Sequence, residues 1–287
     1  MNNLARWAMQ SRRNAILAAA ACFAIPLLFW IGAALLALVL MRQGWKESAN
    51  VVFWSVLPAI GWFSAGDPTP LLVALGTVIS ALVLRSSVRL DLAILGATLV
   101  GVVFYQILPL LLGDVLPLAV ERIEQAVSGA LVDEPESLIL VQTLAGPLTQ
   151  GVLAALHVLV LALCLLLGRY WQASLYNPGG FGREFRSLRL PLAFTLPVLL
   201  AVMSAGQLDP VLVGVLPLLT VPLFLAGLAM FHGVVYQTTA SSNWMFPIYI
   251  GLVLFGPYMY TLLIFVAVLD SLLDVRTRLK DTASGDQ

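Results

Sequence analysis

Two histidines, two cysteines and a thin scatter of acids are what this 287-residue chain offers for chemistry. His157 stands near the middle of a long apolar stretch, and Gln150, two helical turns earlier, shares its face. Tyr105 and Gln106 lie deep in an earlier stretch. A polar side chain in hydrocarbon is costly unless it meets a partner. These four residues therefore read either as a ligand or proton site or as hydrogen bonds that tie helices together. For His157 both readings stay open. Trp54 and Trp62 are further candidates to line a pocket with Tyr105 and Gln106, and His232, near the end of a run, is the weaker histidine.

Catalysis finds no such foothold. There is no Ser-His-Asp ordering, no His-Glu-x-x-His spacing and no intramembrane aspartate pair, and Gly179-Gly180 is not a phosphate loop. Cys22 and Cys164 fall inside apolar runs, where a thiol behaves as a small core side chain, so neither a disulfide nor a metal site is indicated. The expectation is a protein that is not an enzyme and uses no cofactor or metal. Acids are nearly absent from the apolar runs, which argues against an ion-coupled transport path.

The elements that must hold these residues follow from the solvent. Hydrophobic residues make up 60% of the chain and charged ones only 10%, against roughly 25% charged in a soluble domain. Hydrocarbon must surround such a molecule. Apolar runs occupy 14–41, 48–64, 69–84, 90–112, 144–168, 190–206, 211–235 and 245–269, and about 20 residues suffice to cross a bilayer. In lipid the backbone satisfies itself only as a helix or a closed barrel, and no strand-like alternation is present. The fold class is all-α: a polytopic transmembrane helical bundle of about eight hydrophobic segments, forming a single integral membrane domain over 1–287. The lipid bilayer is its first partner. With 15 basic and 15 acidic residues, no nucleic acid is expected as another. Arg6, Arg12 and Arg13 imitate the start of a signal peptide, but the apolar run continues to Met41, so it reads as an uncleaved first segment.

Lys and Arg in short loops set the orientation. Arg6, Arg12 and Arg13, then Arg85 and Arg89, then Arg169, Arg183, Arg186 and Arg189 mark the cytoplasmic side of a bacterial inner membrane, with the N-terminus in the cytoplasm. The connection near 113–142 should face outward. In it Leu116, Val120, Ile123, Val127 and Leu131 recur at helical spacing opposite Glu121, Glu124, Gln125 and Ser128, followed by Asp133, Glu134 and Glu136. That is an amphipathic, acidic helix expected on the membrane surface. Two clusters disagree with single spans: Arg42 with Lys46, and Arg276, Arg278 with Lys280. The runs before them contain Pro26 and Pro257. Each proline either kinks one tilted span, the simpler picture, or breaks the run into a short hairpin, which would place every basic cluster inside.

The connection near 169–189 is the most distinctive part of the chain. It reads Trp171-Gln172, then Asn177-Pro178-Gly179-Gly180-Phe181, then Arg183-Glu184-Phe185-Arg186. Asn-Pro-Gly-Gly is turn chemistry, so a structured cytoplasmic Gly-rich basic loop is expected, with Trp171 and Tyr176 at headgroup level and the arginines facing lipid or a partner. Asp270 and Asp274, four apart, share a face. Together with Arg276 they read as a cytoplasmic latch in which the acids pair with Arg183, Arg186 or Arg189, so that exchanging the charges of Asp270 and Arg186 restores folding.

The stretch from Tyr170-Trp171-Gln172 to Glu184-Phe185-Arg186, together with Gly227-Leu228-Ala229-Met230-Phe231-His232-Gly233 and Leu269-Asp270-Ser271-Leu272-Leu273-Asp274-Val275-Arg276, resembles the YybS-like family of predicted bacterial membrane proteins, a family without an established function. Its members in turn look distantly similar to the substrate-binding S components of energy-coupling-factor vitamin transporters. That resemblance implies a small-molecule uptake component that works with another membrane protein as its energising module. S components dock on that module through small residues four apart in the first helix, and Ala15 with Ala19, and Ala20 with Ala24, have that spacing. The alternative is a membrane scaffold or assembly factor that docks a cytoplasmic partner through the Asn-Pro-Gly-Gly loop.

Overall fold

A computed structural model describes residues 2–128, 135–237 and 244–276. Leu131, Asp133, Glu134, Arg278 and Lys280 lie outside the described residues. Within them the chain is all-helical, and six helices are long and apolar enough to cross a membrane, the architecture of a multi-pass membrane protein.

The long first run is broken. A short helix α1 (Asn2–Ala8) precedes α2 (Arg12–Ala24), which starts where the Ser11 hydroxyl accepts a hydrogen bond from the Asn14 amide. It stops at Ile25, forced into extended backbone by the proline that follows. A 3-10 turn, Pro26–Leu28, leads into α3 (Phe29–Gln43). The two helices fold back on each other: a Cβ on Gly32 of α3 would lie 3.1 Å from the Ala19 carbonyl oxygen of α2. The Trp62 indole donates to the Phe23 carbonyl, one of those freed at the broken end of α2. The run 48–64 makes no spanning helix; it divides into α4 (Trp45–Ser55) and α5 (Leu57–Ser64).

Then come α6 (Thr69–Ser87), α7 (Leu90–Leu112), α8 (Val115–Ser128) and α9 (Pro135–Tyr176). The last has 42 residues, about 63 Å at 1.5 Å per residue, twice what a bilayer core of about 30 Å requires. The amphipathic α8 is present as expected, and its apolar side lies along α9. After a turn, α10 (Gly180–Arg186) leads to α11 (Leu192–Met203), α12 (Pro210–Gln237), α13 (Met245–Leu254) and α14 (Gly256–Leu273). The run 190–206 yields only the 12 residues of α11, too few to span. The last run breaks at Phe255, just before Gly256-Pro257, so it too is two helices.

By packing, the chain divides into two compact units: residues Met1–Phe181 with Gln207–Leu218, and Gly182–Gly206 with Leu219–Gln287. In the first, α3, α6, α7 and α9 form the centre. Gly168 makes the α3–α9 contact possible, since a Cβ there would fall 2.6 Å from the Ala34 carbonyl oxygen. In the second, α14 packs against α11 and α13, and Gly227 brings α12 onto the backbone of α14 at Leu263.

Candidate functional site

The first unit contains a polar pocket. Tyr105 and Gln106 lie in the last third of α7, which Gly113 ends with a positive φ of 50°. The chain turns there, so the first half of α8 comes to lie beside the end of α7. A cavity of about 620 Å³ opens between these helices, the Gly146–Gln150 stretch of α9 and Val211, within the size range of small-molecule sites. Tyr105 is buried, and its hydroxyl donates to the Val211 carbonyl at 3.3 Å. The Gln150 amide donates to the Tyr105 carbonyl. These two bonds fix one wall. Gln106 is exposed to the cavity, and Glu121 and Glu124 of α8 complete its polar lining. Glu121 also accepts from Gln125 at 3.0 Å.

Three of the four candidate ligand residues thus meet: Tyr105, Gln106 and Gln150. His157 does not join them. Its Nδ1 lies 2.8 Å from the Leu153 carbonyl oxygen one turn back on α9, and its ring meets the edge of Phe104. The expected bond between helices is replaced by a bond within its own helix, and Nε2 is buried without a partner among the described residues. Trp62 is held by α2 and the exposed Trp54 by Phe53, so neither lines this pocket. By sequence Glu121 and Glu124 are only the wet face of α8. Their spacing of three, on a helix one short turn from Tyr105 and Gln106, was the signal available.

The 169–189 connection is more helical than its turn chemistry suggests. Helix α9 runs to Tyr176, and Trp171 on it is buried within the protein at 1% exposure. Gln172 accepts from Arg169. The turn itself is as expected: Gly179 adopts φ 79°, and Gly180 bonds the Asn177 carbonyl, with no room for a Cβ beside the Asn177 side chain. Phe181 meets the edge of Tyr170, and the Arg42 guanidinium sits 4.3 Å over the Tyr176 ring. In the second unit Phe185 packs edge-on against His232, which shares a hydrogen bond with the Tyr249 hydroxyl, and Arg186 covers Tyr236 at 3.8 Å. Arg183 is exposed.

Of the three arginines expected to meet the latch acids, Arg189 does so, and Arg276 joins it. Asp270 is 2% and Arg276 8% exposed. Arg276 donates to the Asp270 carboxylate through Nη2 at 2.6 Å and Nε at 3.1 Å, and to the carbonyls of Arg186 and Leu188. Arg189 donates to the Asp270 carbonyl at 2.6 Å and reaches Asp274 at 2.9 Å. Asp274 ends α14 in the left-handed region, φ 53°, and that reversal returns Arg276 to its neighbour six residues back. Ser271 donates to the Leu190 carbonyl. The guanidinium of Arg186 lies on Tyr236 and only its carbonyl enters the network, so exchanging charges between Asp270 and Arg186 would not restore the pairing. Arg189, one of the three expected arginines, and Arg276 are the partners.

The alanine face of α2 is half taken. Ala15 and Ala19 are buried within the first unit, whereas Ala24 is exposed and Ala20 intermediate. No family model, curated protein or solved structure matches the chain.

Proposed function

We propose that the protein is a solute-binding component of a bacterial inner membrane, taking a small vitamin-type molecule from the outer side into the pocket of Tyr105, Gln106, Glu121, Glu124 and Gln150. The observation that carries this is the cavity of about 620 Å³ in which two amides and two carboxylates converge at the acidic end of α7. In a chain with 10% charged residues, polar groups turned toward a common space are a large expense unless something occupies it. Among the described residues no basic one lines that cavity, so the solute is a hydrogen-bond donor or carries positive charge. Orientation by loop arginines puts Asp67, Asp114 and Asp209 outside and the N-terminus in the cytoplasm, so the pocket opens to the outer face. The resemblance to YybS-like proteins, and more distantly to S components, supports the same reading, in which a second membrane protein supplies the energy.

The scaffold reading has less to draw on, because Trp171 is buried and Phe181, Phe185 and Arg186 engage partners within the chain. The test is native mass spectrometry of the intact protein purified in nanodiscs, with a thermal-shift panel of water-soluble vitamins and amines. A co-purifying or stabilising solute lost from Gln106→Ala and Glu124→Gln is the expected result. If nothing co-purifies and no compound raises the melting temperature, the uptake reading falls.

A further inference from the structure

A second recess lies at the opposite, arginine-bearing end of α6 and owes nothing to the solute pocket. Its lining is Trp45, Ile79, Leu82, Val83, Arg85 and Ser86, around a volume of about 540 Å³. The lining is ordered along the helix. Arg85 and Ser86 stand in the last turn, and Ile79 lies about 9 Å deeper at 1.5 Å per residue. Because α6 is long and apolar enough to span, its end marks the headgroup level and its middle the acyl chains. Trp45 and Ile79 are both exposed there, an aromatic ring at the level where such rings collect and an aliphatic side chain below it.

The charge is also left in place. Arg85 gives one N–H to the Met41 carbonyl at 2.5 Å, which anchors the guanidinium over the end of α3. The turn at Gly44, φ 82°, wraps close around it. The neighbouring carboxylates are committed to other arginines: Glu47 to Arg12, and Asp91 to Arg89 at 2.6 Å. A planar guanidinium with five donors, one of them used here, suits a phosphate. We propose that this groove seats one anionic phospholipid, its phosphate on Arg85, its headgroup beside Trp45 and an acyl chain along Leu82, Val83 and Ile79.

The experiment is native mass spectrometry of the full chain released from mixed nanodiscs of phosphatidylglycerol and phosphatidylcholine in equal amounts. The wild type should retain one phosphatidylglycerol with about five- to tenfold preference, the scale expected for one well-placed basic residue. Arg85→Gln should remove the preference. Since that change also removes the bond to Met41, Ile79→Trp provides an independent arm: it fills the lower groove, leaves Arg85 untouched and should likewise empty the site. Arg89→Gln, on the same loop but outside the groove, should keep it. Equal retention of both lipids overturns the proposal. So does loss in Arg89→Gln equal to that in Arg85→Gln, which would mean diffuse surface charge. Retention in Ile79→Trp would deny the acyl seat, and displacement by inorganic phosphate would make the ligand a free anion; either result also overturns it.

Discussion

The pocket at the end of α7 and the ion-pair cluster at the end of α14 both concentrate polar groups in an apolar chain, and they handle them in opposite ways. Around Asp270 the charges balance: two acids meet two arginines, and Arg276 spends further donors on the carbonyls of Arg186 and Leu188. Around Tyr105 two carboxylates and an exposed amide face a cavity with no cation among the described residues that line it. Burial explains the contrast. A charge removed from solvent is tolerated only when its partner and remaining hydrogen bonds are supplied, whereas a group bordering an open cavity keeps its water until a ligand replaces it. Charge-paired polar clusters hold a fold together; uncompensated ones are available for binding.

The comparison can be broken most decisively at Asp270. Asp270→Asn leaves Arg276 buried without its counter-charge and should cost about 3–5 kcal/mol, read as a large drop in melting temperature in detergent. Combining Asp270→Asn with Arg276→Gln should cost less than the two single changes added together, with a coupling of about 1–3 kcal/mol. Independent effects would show that the pair is not a unit.

The next effect belongs to the pocket. A Cβ on Gly214 would lie 2.5 Å from the Tyr105 hydroxyl and 2.6 Å from the Pro147 carbonyl oxygen. Gly214→Ala should therefore destabilise by about 1–3 kcal/mol and weaken solute retention by shifting the Tyr105 wall. A stable variant with unchanged retention would show that this wall is not part of the site. A smaller effect is expected at Asp274, whose pair with Arg189 is partly exposed. Asn also tolerates the left-handed backbone there, so Asp274→Asn isolates the charge and should cost about 0.2–1 kcal/mol, falling with added salt. Smallest for stability is Glu121→Gln with Glu124→Gln: melting should move by less than about 0.5 kcal/mol, while solute retention falls several-fold. If melting collapses and retention persists, the two regions have exchanged roles.

Much of this was legible in the residues. The apolar runs, the disruptive positions of Pro26 and Pro257, the amphipathic α8 and the turn at Asn177–Gly180 all follow from local chemistry, as does the shared face of Asp270 and Asp274. The misreadings share one cause. Arg169 looks like the start of a connection, which puts Trp171 in a loop, yet α9 continues through both to Tyr176. Arg183, Arg186 and Arg189 are equally available to the acids by sequence, yet the Arg186 side chain lies on the ring of Tyr236 and Arg189 takes the pairing.

What the sequence determined alone was the solvent, the helical class and some of the places where helices stop, because hydropathy, proline sterics and glycine φ act over a few neighbouring residues. Tertiary structure decided which polar atoms meet. It joined Gln150 but not His157 to Tyr105, turned Glu121 and Glu124 toward the same cavity, and returned Arg276 to Asp270 through the reversal at Asp274. Such pairings depend on helix register and close backbone approach between distant segments, and no periodicity along a single run encodes them.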